Sequence, residues 1–188
     1  MVKAIIFDCF GVLTTDTWKE FTGTLPQSQK AAATTLNHAY DSGAISKPEF
    51  LQAVQDLTGK QPRYVDDMLD NETIKNSELL AYIKELGKSY KIALLSNVAT
   101  NWIREHFLTA EEQAMFHTMV FSFEIGATKP DTRMFQAVAE RLGVEVEECV
   151  IVDDVERYCT AAEDLGMRAI CYQDFSQMKT ELEKMLVQ

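Results

Sequence analysis

The sequence predicts an α/β protein, a parallel sheet flanked by helices, with a small all-helical segment inserted after the first strand. Three observations carry this. Short apolar runs bounded by turn signals occur at 4–7, 92–95 and 149–152, as buried parallel strands require. Helical patterns separate the later runs, the alternation that builds βαβ units. The stretch 15–76 breaks that alternation, with helical patterns and no convincing strand.

Taken in order, Ala4-Ile5-Ile6-Phe7 forms the first strand and runs into Asp8, with a turn at Gly11. Helices are expected over 18–25, 28–40, 47–57 and 63–69. Asp41-Ser42-Gly43 is a helix stop, and Ser46 with Glu49 has capping-box spacing, with Pro48 in the first turn. A helix over 77–86 leads to the strand 92–95, followed by a helix over 101–107 and a weaker strand over 118–123. Helices over 133–142, 159–165 and 175–186 then bracket the strand 149–152 and a weaker one at 169–172. The expected division is a core of residues 1–14 and 77–188 and a helical cap of residues 15–76. The alternative is a longer helical part of a single domain.

The three strongest strands end in Asp8, in Ser96-Asn97 and in Asp153-Asp154. In a parallel sheet these ends share one edge, where ligands of open α/β sheets bind. Each residue also has an ordinary reading. Asp8 could cap a strand, and Ser96 could cap the next helix. Lys129, in Gly126-Ala127-Thr128-Lys129-Pro130, could be a solvated surface charge. Asp153 and Asp154 could be acids at a helix N-terminus. The functional alternative joins them: two adjacent acids at a buried strand end repel each other unless a divalent cation or a lysine neutralises them. Hard oxygen ligands of this kind favour Mg²⁺.

The formal net charge of −11 argues against a nucleic-acid or anionic membrane partner. An anionic substrate would need a local positive site. Cys9, Cys149, Cys159 and Cys171 show no metal-type spacing and are expected to be reduced. No apolar run approaches the ~18 residues of a membrane span, and no leader is expected, so the predicted compartment is the cytoplasm.

Together, Phe7-Asp8-Cys9-Phe10-Gly11-Val12-Leu13, Leu95-Ser96-Asn97, Lys129-Pro130 and Val152-Asp153-Asp154 resemble the four ordered motifs of the haloacid dehalogenase superfamily. The resemblance covers most of the chain and continues through Leu165-Gly166-Met167. It implies a Rossmann-like core, and residues 15–76 resemble the small helical cap of the family's first cap class. It further implies that Asp8 attacks phosphorus to form an aspartyl-phosphate. Ser96, Asn97 and Lys129 would bind the substrate, with Ser96 and Lys129 also serving catalysis. Asp8, Asp153, Asp154 and the main-chain carbonyl of Phe10 would hold Mg²⁺. The implied activity is Mg²⁺-dependent hydrolysis of a small phosphorylated metabolite, sugar phosphates included.

One departure stands out. Phosphatases of this superfamily mostly carry a second Asp where this chain has Phe10, and that Asp moves the proton. Such help is typically worth ~10²–10⁴-fold. A smaller departure is Tyr158, at a position often filled by Asn. Phe10 therefore leaves two alternatives open: a 2-haloacid dehalogenase, and a non-catalytic member that binds a phosphorylated ligand or a protein partner. Thr15, Asp16, Trp18 and His38 are the insert residues to inspect for a replacement acid or for substrate contacts.

Overall fold

The computed structural model describes residues 1–71 and 74–187; Glu72 and Thr73 of the predicted insert, and Gln188, lie outside the described residues. The chain runs β1 (Ala4–Phe7), α1 (Thr17–Gly23), α2 (Gln27–Asp41), α3 (Lys47–Thr58), α4 (Pro62–Asn71), α5 (Ser77–Leu86) and β2 (Lys91–Ser96). A π-helical turn (Ile103–Phe107) follows, then α6 (Ala110–Gln113), β3 (Thr118–Phe121), α7 (Ser122–Ile125) and α8 (Thr132–Leu142). A short 3₁₀ turn leads into β4 (Cys149–Asp153), α9 (Glu156–Asp164), β5 (Arg168–Cys171) and α10 (Phe175–Leu186).

The five strands are parallel, in the order β3-β2-β1-β4-β5. β1 is central and buried on both faces, which is why it reads as a continuous apolar run. Ile5 and Phe7 pack on one side with Leu79, Ile83 and Ile92; Ala4 and Ile6 pack on the other with Leu95 and Phe135. The order reverses at β1: the chain builds outward through β2 and β3, then crosses to β4. The crevice of such a sheet opens at the carboxyl ends beside that switch point. The backbone N–H of Asp8 donates to Val152 there, joining the ends of β1 and β4 at 2.9 Å.

The four helices α1–α4 enclose an apolar cluster of their own, with Phe21, Ala33, Phe50, Val54 and Val65 buried in it. Trp18 packs against Phe21 and Phe50, and Tyr40 stacks on Phe50 at 4.5 Å. The expected capping box forms, with the Ser46 N–H donating to the Glu49 carboxylate at 2.8 Å.

Three expectations need correction. The strand expected over 118–123 ends at Phe121, because the Ser122 hydroxyl takes the Val98 N–H and Gly126, at a φ of 68°, closes a short helical turn. The helix expected over 101–107 is a π-helical turn that starts at Ile103. The helix expected from Cys159 starts three residues earlier, at Glu156, so it begins directly behind Asp153-Asp154.

Candidate active site

Lys129 lies at the centre of the crevice with none of its surface exposed. Its ammonium contacts Asp153 at 2.5 Å and Asp8 at 3.0 Å, and donates to the Leu95 carbonyl at 3.2 Å. The main chain of Lys129 is fixed by Asn97, whose Oδ1 accepts its N–H at 2.8 Å and whose Nδ2 donates to its carbonyl at 3.2 Å. The ring of Tyr158 lies 5.3 Å from the ammonium. Lys129 is thus a pinned, buried charge rather than a surface one. Burial disfavours its charged form, but Asp153 and Asp8 outweigh that and hold its pKa above the ordinary lysine value.

Asp8 has the opposite balance. Burial pushes its carboxyl well above the usual carboxylate range; Lys129 pulls it back, while Asp153 and Asp154 push the same way as burial. One Asp8 oxygen accepts the Cys9 N–H at 2.7 Å. Asp8, Asp153 and Asp154 offer oxygens that all lie within 4.8 Å of one another. Three carboxylates against the buried Lys129 ammonium and the Lys19 ammonium at the rim leave negative charge that a divalent cation would neutralise.

The donor set fits such an ion. Asp154 Oδ1 is buried and makes no hydrogen bond among the described residues, and the same holds for the fully buried Ser96 hydroxyl. Gly11 provides the room. Its φ is 84°, and a Cβ there would fall 2.5 Å from the Asp154 carboxyl. Ser96 ends β2 without capping a helix, whereas Asp153 and Asp154 do stand just before the N-terminus of α9, with Asp153 accepting the Val155 N–H at 2.9 Å.

Phe10 joins a wall of rings. It stacks on Trp102 at 6.0 Å, and Trp102 stacks on Phe107 at 5.6 Å. Beyond it lies a cavity of about 340 Å³, bounded by Asp8 and Lys129 on the sheet side and by Trp18, His38 and Asp41 on the helical side.

Of the insert residues singled out by sequence, none stands free as an acid. Asp16 caps α1 by accepting the Lys19 N–H at 2.8 Å. His38 Nε2 sits 3.2 Å from Arg157 and Nδ1 sits 3.0 Å from the Thr128 hydroxyl. Burial and then Arg157 lower its pKa, so the neutral ring accepts from Arg157 and donates to Thr128. Trp18 is a packing residue that also edges the cavity, and Thr15 is half-buried at the start of the insert. Tyr158 takes the place expected for Asn and hydrogen-bonds Asn97 at 3.4 Å.

Sequence reasoning gave Asp41 no role in the site. It is buried, lines the cavity, and has its carboxyl pushed up to about 7, chiefly by burial and then by Asp16. A signal was present: an acid in the last turn of a helix opposes the macrodipole.

The model of the haloacid dehalogenase-like hydrolase family matches residues 2–166. Among curated proteins, bifunctional epoxide hydrolase 2 of Sus scrofa is 28% identical over 126 residues. That alignment takes in 63% of this chain and only 22% of the relative's length. D-ribitol-5-phosphate phosphatase of Bacteroides thetaiotaomicron is 25% identical over 211 residues, 99% of each chain. Among solved structures, a haloacid dehalogenase family enzyme of the same organism, in complex with magnesium and inorganic phosphate, superposes with a TM-score of 0.72 at 21% identity. It covers 95% of this chain and 99% of its own. That likeness establishes the shared fold. Among the described residues no helix is long and apolar enough to cross a membrane.

Proposed function

Because the chain belongs to the haloacid dehalogenase-like hydrolases, we propose that it hydrolyses a small phosphate monoester with Asp8 as the nucleophile. The observation that supports this best is the buried group of Asp8, Lys129 and Asp153, beside the partnerless Ser96 hydroxyl and Asp154 oxygen.

In this reading an Asp8 oxygen attacks phosphorus and the ester oxygen departs. Water then attacks the aspartyl-phosphate and frees Asp8. Lys129 favours the ionised form of Asp8 against burial and meets the charge of the transferring phosphoryl group. Ser96 donates to a phosphoryl oxygen. Asn97 acts by holding the Lys129 main chain, since its side chain is already engaged there. Asp8, Asp153, Asp154 and the main-chain oxygen of Phe10 would hold Mg²⁺, which supplies charge neutralisation for the phosphoryl oxygens.

The cavity volume suits a metabolite of sugar-phosphate size. A sugar phosphate is the substrate class we favour, supported by the likeness to the ribitol-phosphate enzyme. Residues 15–76 serve as a cap over the edge formed by residues 1–14 and 77–188, in keeping with the separate apolar cluster of α1–α4. We place the protein in the cytoplasm, in keeping with its four free cysteines.

Turnover of p-nitrophenyl phosphate and of a panel of sugar phosphates tests the reading, with Mg²⁺, with excess chelator and with Asp8→Asn. Mg²⁺-dependent phosphate release that Asp8→Asn abolishes supports it. Halide release from 2-chloropropionate in chelator, with no phosphate release, would replace it with the dehalogenase that Phe10 alone favours. Binding of phosphate esters with neither product would mark a non-catalytic binder.

A further inference from the structure

A phosphate monoester with an alkyl leaving group needs a proton as its P–O bond breaks, and Phe10 has none to give. Phe10 is locked against Trp102. Among the described residues, the carboxyls on the helical side of the cavity belong to Asp16, Asp41 and Asp70. Asp16 is engaged as the cap of α1. Asp70 is exposed and paired with Lys47. Asp41 remains.

Asp41 is held from both sides. On its own helix, Asn37 Nδ2 donates to its Oδ2 at 2.7 Å. From the core, the Ser122 hydroxyl donates to its main-chain oxygen at 2.6 Å, and the same hydroxyl accepts the Val98 N–H at 2.8 Å. A side chain of the insert is thereby placed by the sheet edge, in the cavity that Asp8 and Lys129 line. We propose that Asp41 is the proton-transfer residue of this site, performing from the helical side the task that Phe10 cannot perform.

The proposal rests on the phosphatase reading given above. As Asp8 forms its bond to phosphorus, the ester P–O bond breaks, and its electron pair stays on the leaving oxygen. That oxygen takes the Asp41 proton and departs as the alcohol. A water oxygen then bonds to phosphorus, its proton passes to the Asp41 carboxylate, and the acyl-phosphate P–O pair returns to Asp8. Inorganic phosphate leaves with both carboxyls restored.

The environment suits a group that must give and regain a proton near neutrality. Burial comes first and Asp16, in the loop before α1, acts in the same direction; Asn37 and Lys129 favour the charged form. The balance lies at about 7.

The test compares wild type, Asp41→Asn and Asp41→Glu on p-nitrophenyl phosphate, whose leaving group needs no proton, and on glycerol phosphate, whose alkoxide does. Asp41→Asn should lose ~10²–10⁴-fold on glycerol phosphate. With the aryl ester it should give a burst of nitrophenol equal to the enzyme, then slow turnover as aspartyl-phosphate accumulates. The pH–rate limb near 7 should vanish in Asp41→Asn and return, displaced, in Asp41→Glu. A folded Asp41→Asn protein with wild-type pH profile and aryl-to-alkyl preference overturns the proposal and leaves the phosphatase reading standing. Should Asp41→Asn not fold, an undisplaced limb in Asp41→Glu overturns it equally. A wild type that releases phosphate from neither ester overturns the phosphatase reading itself, and the proposal with it.

Discussion

Lys19 places its ammonium 2.5 Å from an Asp154 carboxylate oxygen, so helix α1 of the insert reaches the metal-type acids at the sheet edge directly. The lysine is 60% exposed and the acid 10%, so the pair sits at the rim rather than in the interior. A cation bound by Asp154 has to displace or share this contact. Removing the lysine should therefore tighten Mg²⁺ binding: Lys19→Ala is expected to lower the Kd a few-fold in titration calorimetry. Unchanged or weaker binding would count against competition at Asp154.

Gly11→Ala should damage the same site by sterics. The residue sits at a φ of 84°, and a Cβ would meet the Asp154 carboxyl at 2.5 Å. The expected stability loss is about 1–3 kcal/mol, read by urea denaturation. Mg²⁺ affinity should fall more than tenfold as Asp154 is pushed away. A variant with wild-type stability and affinity would show that the loop yields without consequence.

Lys129→Met removes the buried ammonium between Asp8 and Asp153. Two buried carboxyls then lose their partner, which is expected to cost about 3–5 kcal/mol near neutral pH. The loss should shrink in acid as Asp8, whose carboxyl burial raises, takes up a proton. Denaturation curves at pH 5 and pH 8 check this; equal losses at both would contradict the electrostatic account.

Asp41 makes a stability prediction separate from its chemistry. Its carboxyl is ordinarily near 3.8 and lies at about 7 in the fold, raised by burial and Asp16. Between those values the native state keeps a proton that the unfolded chain has released. This contribution is fully present below pH 3.8 and lost as pH rises through about 7. Asn cannot titrate, so Asp41→Asn should gain on wild type as pH rises, by up to about 4 kcal/mol. The stability difference between the two proteins, measured from pH 4 to pH 8, should slope in that direction. A flat difference would refute it.

The sheet was legible because its central strands are buried on both faces: an apolar run such as Ala4–Phe7 admits few other readings in an alternating chain. The residues at the strand ends were equally legible, since Asp8, Ser96 and Asp153 need only the strand boundaries to share one edge. What escaped was set by tertiary contact. The strand over 118–123 stops early because Ser122 is taken by Val98 and Asp41, residues far from it in sequence. Asp41 itself reads locally as a helix terminus, and only its docking on Ser122 brings it to the cavity. The hold of the Asn97 side-chain amide on Lys129 is likewise a contact between residues distant in sequence.

The stacked rings of Phe10, Trp102 and Phe107 bear on how this site could change. Position 10 is not an independent switch between an acid and an aromatic. An Asp introduced there alone would leave the Trp102 face uncovered and set a fourth carboxyl beside Asp8, Asp153 and Asp154. Reversion to the commoner acid is therefore tied to what stands at 102. The two positions form an epistatic pair, and the ladder of rings acts as a ratchet that holds the chain to its present solution.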